Sequence, residues 1–170
     1  MQSYNYLGMT IVLADGDTAN REYFAHCARG EFRLQCCDNC DLVHYPPSTG
    51  CPWCGSPKYH WRSVEGRGVV HSYERVTHAI QPGFAPFTPY LVLLVELDSQ
   101  RGHPTEHEGL RIIGNLTMSD GAMATQDEVA KVGIGSRMKM VFARLGNGFA
   151  VPQWTLDTEV EQPKPWQYPG

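Results

Sequence analysis

The chain has 170 residues, of which 42% are hydrophobic and 19% are charged, and its formal net charge at pH 7 is −4. This composition is globular, and the length leaves room for one domain of ordinary size plus a small module. No apolar run is long enough to span a bilayer, so no membrane association is expected. A broad nucleic-acid-binding surface normally carries a basic excess, so the negative charge argues against nucleic acid as a partner.

The first ten residues, MQSYNYLGMT, lack the basic start and the apolar centre of a secretory signal. We therefore expect a cytoplasmic protein whose cysteines stay reduced. In a reducing compartment, closely spaced cysteine pairs are typical of metal or redox sites rather than of disulfide scaffolds.

The N-terminal part of the chain is predicted to end in one helix. Residues 1–15 show no clear periodicity, but Asp17 or Thr18 can cap a helix that runs to about Arg29, and Gly30 is a natural stop. Four residues would share one face of this helix: Ala19, Tyr23, Phe24 and Cys27. This face packs on the chain's own domain or docks on another protein, and both interpretations stay open.

Two Cys-x2-Cys pairs follow, separated by ten residues: Cys37 and Cys40, then Cys51 and Cys54. Two intervening residues let both sulfurs of a pair converge on one ion, and a short loop can bring two such knuckles face to face. The backbone after each pair often needs positive φ, which Gly55 adopts freely and Asp41 adopts more easily than most residues. The spacing predicts one tetrahedral four-cysteine zinc site per chain, with iron in the same cage as the alternative.

This zinc is expected to be structural, because a zinc held by four cysteines has no open position for water. Cys36 is left out of the site, since its spacing to the next cysteine of the pair would be one residue too long. Nucleophilic catalysis by cysteine needs an activated thiolate with a base beside it. Neither Cys27 nor Cys36 has a glycine-rich or histidine-containing context, so no catalytic residue is assigned.

From residue 66 onward the chain is predicted to be all-β. Five short strands are expected, at residues 68–76, 90–97, 110–116, 137–143 and 149–152. The second is apolar enough to be buried on both faces, and a tight turn at residues 146–148 would join the last two. Five short strands with glycine at the bends predict a small closed barrel, for which the OB-fold is the five-stranded case.

Two proline-rich segments carry large aromatic residues. The loop of residues 78–89 holds Phe84 and Phe87, which pack back over the barrel or contact a partner. The tail, residues 156–170, holds Trp166 and Tyr168 and is expected to be extended, either loose or laid along a partner. Aromatic side chains on stiff backbone lose little entropy on binding and are enriched among interface hot spots, so we predict that these residues contact a partner subunit.

Several motifs follow one another in a characteristic order: L-Q-x-C-x2-C at 34–40, Y-P-P at 45–47, C-P-x-C-G-S at 51–56, G-x-V at 68–70, P-Y-x-V-x2-V-E-L at 89–97 and G-I-G at 133–135. In combination they resemble the family catalogued as domain of unknown function 35 (DUF35). The resemblance covers roughly residues 17–152. Asp41 stands where the family usually has glycine, and the tail is longer than usual.

The resemblance implies a mainly β fold with an N-terminal helix, a rubredoxin-like zinc ribbon and a five-stranded OB-fold barrel. We expect the N-terminal segment at residues 1–30, the ribbon at 31–65, the barrel at 66–155 and the tail at 156–170. Members of the family are typically subunits beside thiolase-superfamily proteins that make or break carbon–carbon bonds in coenzyme A (CoA) thioesters. Others are joined to MaoC-type enoyl-CoA hydratases.

The resemblance therefore implies a non-catalytic subunit of a hetero-oligomer, with two copies of each chain and the catalytic residues on a thiolase-like partner. A MaoC-type hydratase partner is the alternative. Basic residues after the ribbon (Lys58, Arg62 and Arg67) could reach the phosphates of a CoA thioester held mainly by that partner, or could form a solvated basic edge.

Two other classes of protein are alternatives to a complex subunit. An OB-fold that binds single-stranded nucleic acid needs a groove lined by basic residues, with aromatic side chains on which the bases stack. The basic residues of this barrel are instead spread among acidic ones. A rubredoxin-like electron carrier would hold iron and be coloured, so a colourless protein excludes it.

Overall fold

The computed structural model describes residues 2–146 and 148–169. Its helices and strands are, in chain order, β1 Gln2–Tyr6, β2 Met9–Leu13, α1 Thr18–Ala28, β3 Arg33–Cys37, β4 Val43–His44, β5 Tyr59–Ser63, β6 Arg67–Val76, β7 Tyr90–Leu97, β8 Arg111–Asn115, α2 Gln126–Val129, β9 Arg137–Gly146 and β10 Phe149–Leu156. They form a hairpin, a small three-stranded ribbon and a five-stranded barrel sheet. None of the helices described is long and apolar enough to cross a bilayer.

The N-terminal residues form an antiparallel hairpin, β1–β2, that the sequence pattern did not predict. Leu7 and Gly8 both have positive φ (51° and 78°), which is the backbone of a tight two-residue turn. A non-glycine residue at the first of these positions is uncommon and gives no turn signal in the sequence.

Helix α1 begins where predicted and packs on its own chain. The Asp17 side chain accepts a hydrogen bond from the Asn20 N–H at 3.2 Å, which caps the helix. Tyr23 and Cys27 are fully buried, and the Phe24 ring lies 4.7 Å from that of Phe149 on β10. Of the two interpretations of the helix face, the structure therefore supports packing on the chain's own domain.

The ribbon sheet has the order β4-β3-β5, with both neighbours antiparallel to β3. Strand β3 faces the main core, since Leu34 and Cys36 are completely buried there. The ribbon is fastened to the barrel by Gln100, whose side chain exchanges two hydrogen bonds of 2.8 Å with the backbone of Val43. On its other side, the indole N–H of Trp61 donates to Glu22 of α1 at 2.8 Å.

The barrel sheet has the order β10-β9-β6-β7-β8, and all its paired strands are antiparallel. The two edge strands meet in parallel just beyond β8, where Leu116 bridges to Trp154 of β10. The Trp154 indole fills the space where the two edge strands join, and its N–H donates to the Ile112 carbonyl at 3.3 Å. This closed five-stranded topology is the OB-fold. The predicted fold class is confirmed.

Strand β7 differs from its prediction in one respect. Its inward residues Leu91, Leu93, Val95 and Leu97 are at most 2% exposed. The outward residues Val92 and Leu94 are only half-buried. The strand is thus buried on one face, as in most antiparallel sheets, although both faces are apolar.

The segments between the barrel strands include a short helix and a tight turn. A short helix forms at α2, with the Thr125 side chain as its cap. The predicted turn between β9 and β10 includes Asn147, which lies outside the described residues. Its flanking glycines, Gly146 and Gly148, have positive φ of 80° and 73°.

Candidate metal centre and contact surfaces

The four cysteines of the two knuckles converge at the outer end of the ribbon. Their sulfur atoms all lie within 4.8 Å of one another. The Cys37 and Cys54 sulfurs are 3.5 Å apart, and those of Cys40 and Cys51 are 3.6 Å apart. A disulfide would bring two sulfurs to about 2.05 Å, whereas a tetrahedron with Zn–S bonds of about 2.3 Å separates them by about 3.8 Å. The donor set therefore fits one tetrahedral zinc.

Each knuckle is a tight turn closed by a backbone hydrogen bond. The Asp41 N–H donates to the Cys37 carbonyl and the Gly55 N–H donates to the Cys51 carbonyl, both at 2.9 Å. Asp41 and Gly55 have φ of 60° and 73°, so both predicted left-handed positions are present. Asp41, which departs from the usual glycine, adopts this conformation without disturbing the turn.

Backbone hydrogen bonds favour the thiolate of Cys37, whereas hydrogen bonds shared with Cys51, Cys37 and Cys54 raise the pKa of the Cys40 thiol to about 12. Backbone N–H groups of Cys40 and Asn39 donate to the Cys37 sulfur and lower the pKa of its thiol to about 6. The side-chain amide of Asn39 donates to Cys54 at 3.6 Å. Hydrogen bonds to the charged form of an acid lower its pKa, and a thiolate is the form that binds metal.

The remaining cysteines are not placed for chemistry. Cys27 is completely buried on α1, and burial raises the pKa of its thiol to about 12. Cys36 is also buried, and its thiol donates to the Asp41 carbonyl at 3.5 Å. A nucleophilic cysteine needs access to substrate and a lowered pKa, and neither residue has both.

The three basic residues predicted to reach CoA do not form an open cationic cluster. The Arg62 guanidinium donates to Asp41, and Arg67 donates to Asp157 and Glu159. Lys58 is exposed and forms no ion pair within the part of the chain that the structure describes. Two of the three charges are thus already matched by carboxylates.

The tail lies along its own barrel instead of hanging loose. Trp166 and Ile134 exchange two backbone hydrogen bonds of 2.9 Å. The side-chain amide of Gln167 donates to the carbonyls of Ala130 and Val132. Beyond these contacts the rings stay in solvent, since Trp166 is 56% and Tyr168 is 72% exposed. The backbone is held while the aromatic side chains point outward.

The proline-rich loop folds into a short 3-10 helix at Pro82–Phe87. The Phe84 ring stacks on Tyr90 at 5.1 Å and meets the edge of Tyr6 at 5.9 Å. Phe84 and Phe87 are both half-buried, so this loop offers less free aromatic surface than the tail.

Fold and site together define a protein built from a zinc ribbon followed by an OB-fold barrel. Residues 24–60 match the rubredoxin-like zinc ribbon domain of ChsH2, and residues 61–143 match the C-terminal OB-fold domain of ChsH2. The chain belongs to the DUF35 family.

Two solved structures show the same architecture. One, described as "Ltp2-ChsH2(DUF35) aldolase", is 25% identical in sequence, with a TM-score of 0.64 over 85% of this chain and 98% of that one. The other is a DUF35-family protein from Sulfolobus solfataricus, 13% identical, with a TM-score of 0.50 over 83% of this chain and 87% of that one. At that identity the second structure supports the fold alone. No curated protein matches the chain.

Proposed function

We propose that the chain is a non-catalytic subunit of a complex that cleaves or forms carbon–carbon bonds in CoA thioesters, by a retro-aldol or thiolytic reaction. The observation that carries the proposal is its likeness, over nearly the whole of that chain, to a ChsH2 protein described as part of an aldolase with Ltp2. The ribbon and the barrel here are the two domains of that protein family.

The chemistry of the chain is that of a non-catalytic subunit. The zinc is coordinatively closed, so it offers no position for a substrate or a water molecule. The buried Cys27, with its raised thiol pKa, is a poor nucleophile. The catalytic residues therefore belong to the partner, for which a thiolase-like subunit is proposed, in a complex with two copies of each chain. A MaoC-type hydratase is the alternative partner.

The tail supplies the main partner contact in this proposal. Trp166 and Tyr168 are exposed on backbone that is already hydrogen-bonded to the barrel. The tail therefore loses little conformational entropy when these side chains bind a partner. Phe84 and Phe87 add a smaller second contact from their half-buried loop.

The partner holds the CoA thioester, and this chain contributes positive charge near the phosphates of that thioester. Lys58 is the cation most free to approach a phosphate, and Arg62 shares its charge with an exposed carboxylate. Arg67 forms an ion pair with the buried Asp157, so its role is mainly to stabilise the surface that carries Lys58 and Arg62. We place the complex in the cytoplasm, where the cysteines stay reduced.

The test begins with purification of the native complex and identification of the partner. The chain alone is expected to show no aldolase, thiolase or hydratase turnover, and the complex is expected to be active on a CoA thioester. Turnover by the isolated chain that disappears in Cys27→Ala or Cys36→Ala would overturn the proposal.

The contact surface is tested with the double variant Trp166→Ala, Tyr168→Ala. It keeps the backbone bridge to Ile134 and removes only the rings, so zinc content and thermal unfolding should stay unchanged. Partner affinity should fall about tenfold, or about 1.4 kcal/mol. Trp53→Ala is the matched control, because Trp53 is 41% exposed at the tip of the ribbon. Equal affinity for all three proteins would remove the tail from the interface.

A further inference from the structure

The N-terminal hairpin packs on the barrel mainly through β1 and leaves β2 incompletely covered. On β1, the Tyr4 ring stacks on that of Phe149 at 4.0 Å and is almost fully buried. The residues of β2 on the same face of the hairpin are only half-buried: Met9, Ile11 and Leu13. At the end of the strand, Leu13 borders a cleft of about 450 Å³ between the hairpin and α1. The apolar face of the hairpin therefore extends beyond what its own chain covers.

Two residues of β2 direct their backbone N–H and C=O groups away from β1. The two-residue turn makes Tyr6 and Met9 a hydrogen-bonded pair, and hydrogen-bonded and non-hydrogen-bonded pairs then alternate along an antiparallel hairpin. Thr10 and Val12 occupy the non-hydrogen-bonded positions, so their backbone groups point outward. Within the described residues these groups have no hydrogen-bond partner. Strand β2 is thus an open edge.

The sequence of this edge lacks the features that usually keep exposed strands from pairing. Such strands carry a lysine or another charge, a proline or a β-bulge. Residues 1–14 contain no Asp, Glu, Lys, Arg or His, although 19% of the chain is charged. Strands β1 and β2 also pair without a shift of register. By contrast, β5 at the edge of the ribbon carries His60 and Arg62. Strand β2 is therefore able to accept a further strand.

We propose that β2 pairs with β2 of a second copy of this chain, antiparallel and related by a two-fold axis at Ile11. In this register Ile11 lies opposite its own counterpart, and Thr10 exchanges backbone hydrogen bonds with Val12 of the second copy. Met9 lies opposite Leu13 of the second copy on the half-buried face. Every outward-pointing backbone group of Thr10 and Val12 gains a partner, and one apolar face continues across both copies.

The charge pattern favours a second copy as the occupant of this edge. A two-fold pairing brings identical residues close together, so a charge near its centre would repel its own counterpart. Strand β2 has no charge. Asp15, the first charged residue after it, would lie at opposite ends of the pair in the two copies, about 27 Å apart at about 3.4 Å per strand residue. The edge is therefore complementary to itself.

The pairing is expected to be weak, because a short strand on each side makes a small interface. It does not depend on the proposed function, and it uses none of the residues proposed to contact a partner subunit. In a complex with two copies of this chain, the linked copies would have a high effective concentration, which strengthens a weak contact.

The experiment is sedimentation equilibrium of the full zinc-loaded chain from about 1 µM to about 1 mM, the range of a weak complex. A reversible monomer–dimer equilibrium is expected. Thr10→Pro removes an outward N–H that the hairpin does not use, so it should weaken the dimer about tenfold. Val12→Lys, at a residue that is 49% exposed, should weaken it as well by placing a charge on the edge. Ser3→Pro is the matched control, because Ser3 lies opposite Val12 and its N–H points away from the other edge of the hairpin.

Cysteine crosslinking tests the register of the pair. Ile11→Cys should form an intermolecular disulfide with oxidised glutathione, because facing residues of a non-hydrogen-bonded pair have Cα atoms about 4.5 Å apart, within disulfide reach. Thr10→Cys is the control and should not crosslink, since Thr10 faces Val12 of the second copy. Peptide mass spectrometry distinguishes this disulfide from any bond formed by the zinc-site cysteines.

A monomer over the whole concentration range overturns the proposal. A dimer that Thr10→Pro and Val12→Lys leave unchanged also overturns it, as does equal crosslinking of Thr10→Cys and Ile11→Cys. If the chain alone is monomeric while both edge variants weaken binding of a different subunit, the edge accepts a strand of that subunit and the second copy is the wrong occupant.

Discussion

The ribbon and the barrel are held together by different forces, although they are consecutive in the chain. In the barrel, Leu93, Val95, Leu97 and Trp154 have no exposed surface, so packed apolar side chains hold its strands together. The outer half of the ribbon has no comparable core. Cys54 and Trp53 are exposed there, and the four sulfur atoms are the groups that converge.

The two regions should therefore respond differently to a single substitution. A barrel strand is stabilised by many small contacts, so one substitution removes a fraction of the total. A metal knuckle is stabilised by a few strong bonds, so one lost ligand removes most of it. The inner half of the ribbon is intermediate, because Leu34 and Val43 join the common core.

The largest effect is expected from loss of the metal. Cys51→Ser or Cys40→Ser should abolish zinc binding and unfold the outer ribbon, because structural zinc in small finger peptides contributes about 10–16 kcal/mol of binding free energy. Metal analysis by mass spectrometry and solubility should report the loss together. Cys36→Ser is the control and should keep one zinc per chain; zinc loss in that variant would show that the ligand set is wrong.

The corresponding change in the barrel is Trp154→Ala. Removal of this fully buried indole leaves a cavity and removes its hydrogen bond to the Ile112 carbonyl, and large aromatic-to-alanine changes in cores cost about 3–5 kcal/mol. Zinc content should be unaffected at temperatures where the variant is folded. Trp53→Ala should change the free energy of unfolding by no more than about 0.5 kcal/mol. Zinc loss at temperatures where Trp154→Ala remains folded would mean that the two regions are not separable.

The same contrast explains what the sequence could predict. The knuckles are local, so spacing alone placed Cys37, Cys40, Cys51 and Cys54 together. The barrel strands alternate strongly, so their order and number were also predictable. The hairpin β1–β2 was missed because much of its surface is exposed and its turn uses Leu7, a residue with no turn preference.

Contacts between distant segments gave no local signal. The tail binds the barrel through Gln162 and Gln167, whose side chains reach backbone groups of residues 130–137. Glutamine in a proline-rich tail is indistinguishable in sequence from a solvated residue. The pairing of Arg67 with Asp157, 90 positions apart, was hidden for the same reason.

That pairing provides the next prediction. Arg67→Met should lower the melting temperature by several degrees, because the Asp157 side chain is completely buried and would lose its cation. Arg62→Met should lower it by no more than about 2 °C, since the Asp41 carboxylate that it leaves is 81% exposed and returns to water. Calorimetry of both variants measures the difference, and equal shifts would show that the buried carboxylate is satisfied by other groups.

The smallest expected effect concerns the attachment of the tail to the barrel. A Cβ atom added at Gly133 would lie 2.2 Å from the Trp166 carbonyl oxygen, so Gly133→Ala should push the tail off the barrel without changing the tail itself. Stability should fall by about 1 kcal/mol, the scale of the few hydrogen bonds lost. Hydrogen exchange at the Ile134 and Trp166 amides should speed up, while exchange in the barrel strands stays slow. Gly16→Ala is the control, because an added Cβ there meets nothing within 4 Å. Gly133→Ala also tests whether attachment of the tail to the barrel fixes the aromatic rings for a partner. If it does, this variant should weaken the complex almost as much as removal of both rings.

Unchanged exchange at Trp166 would show that the tail adapts to the methyl group and that its position does not depend on this glycine.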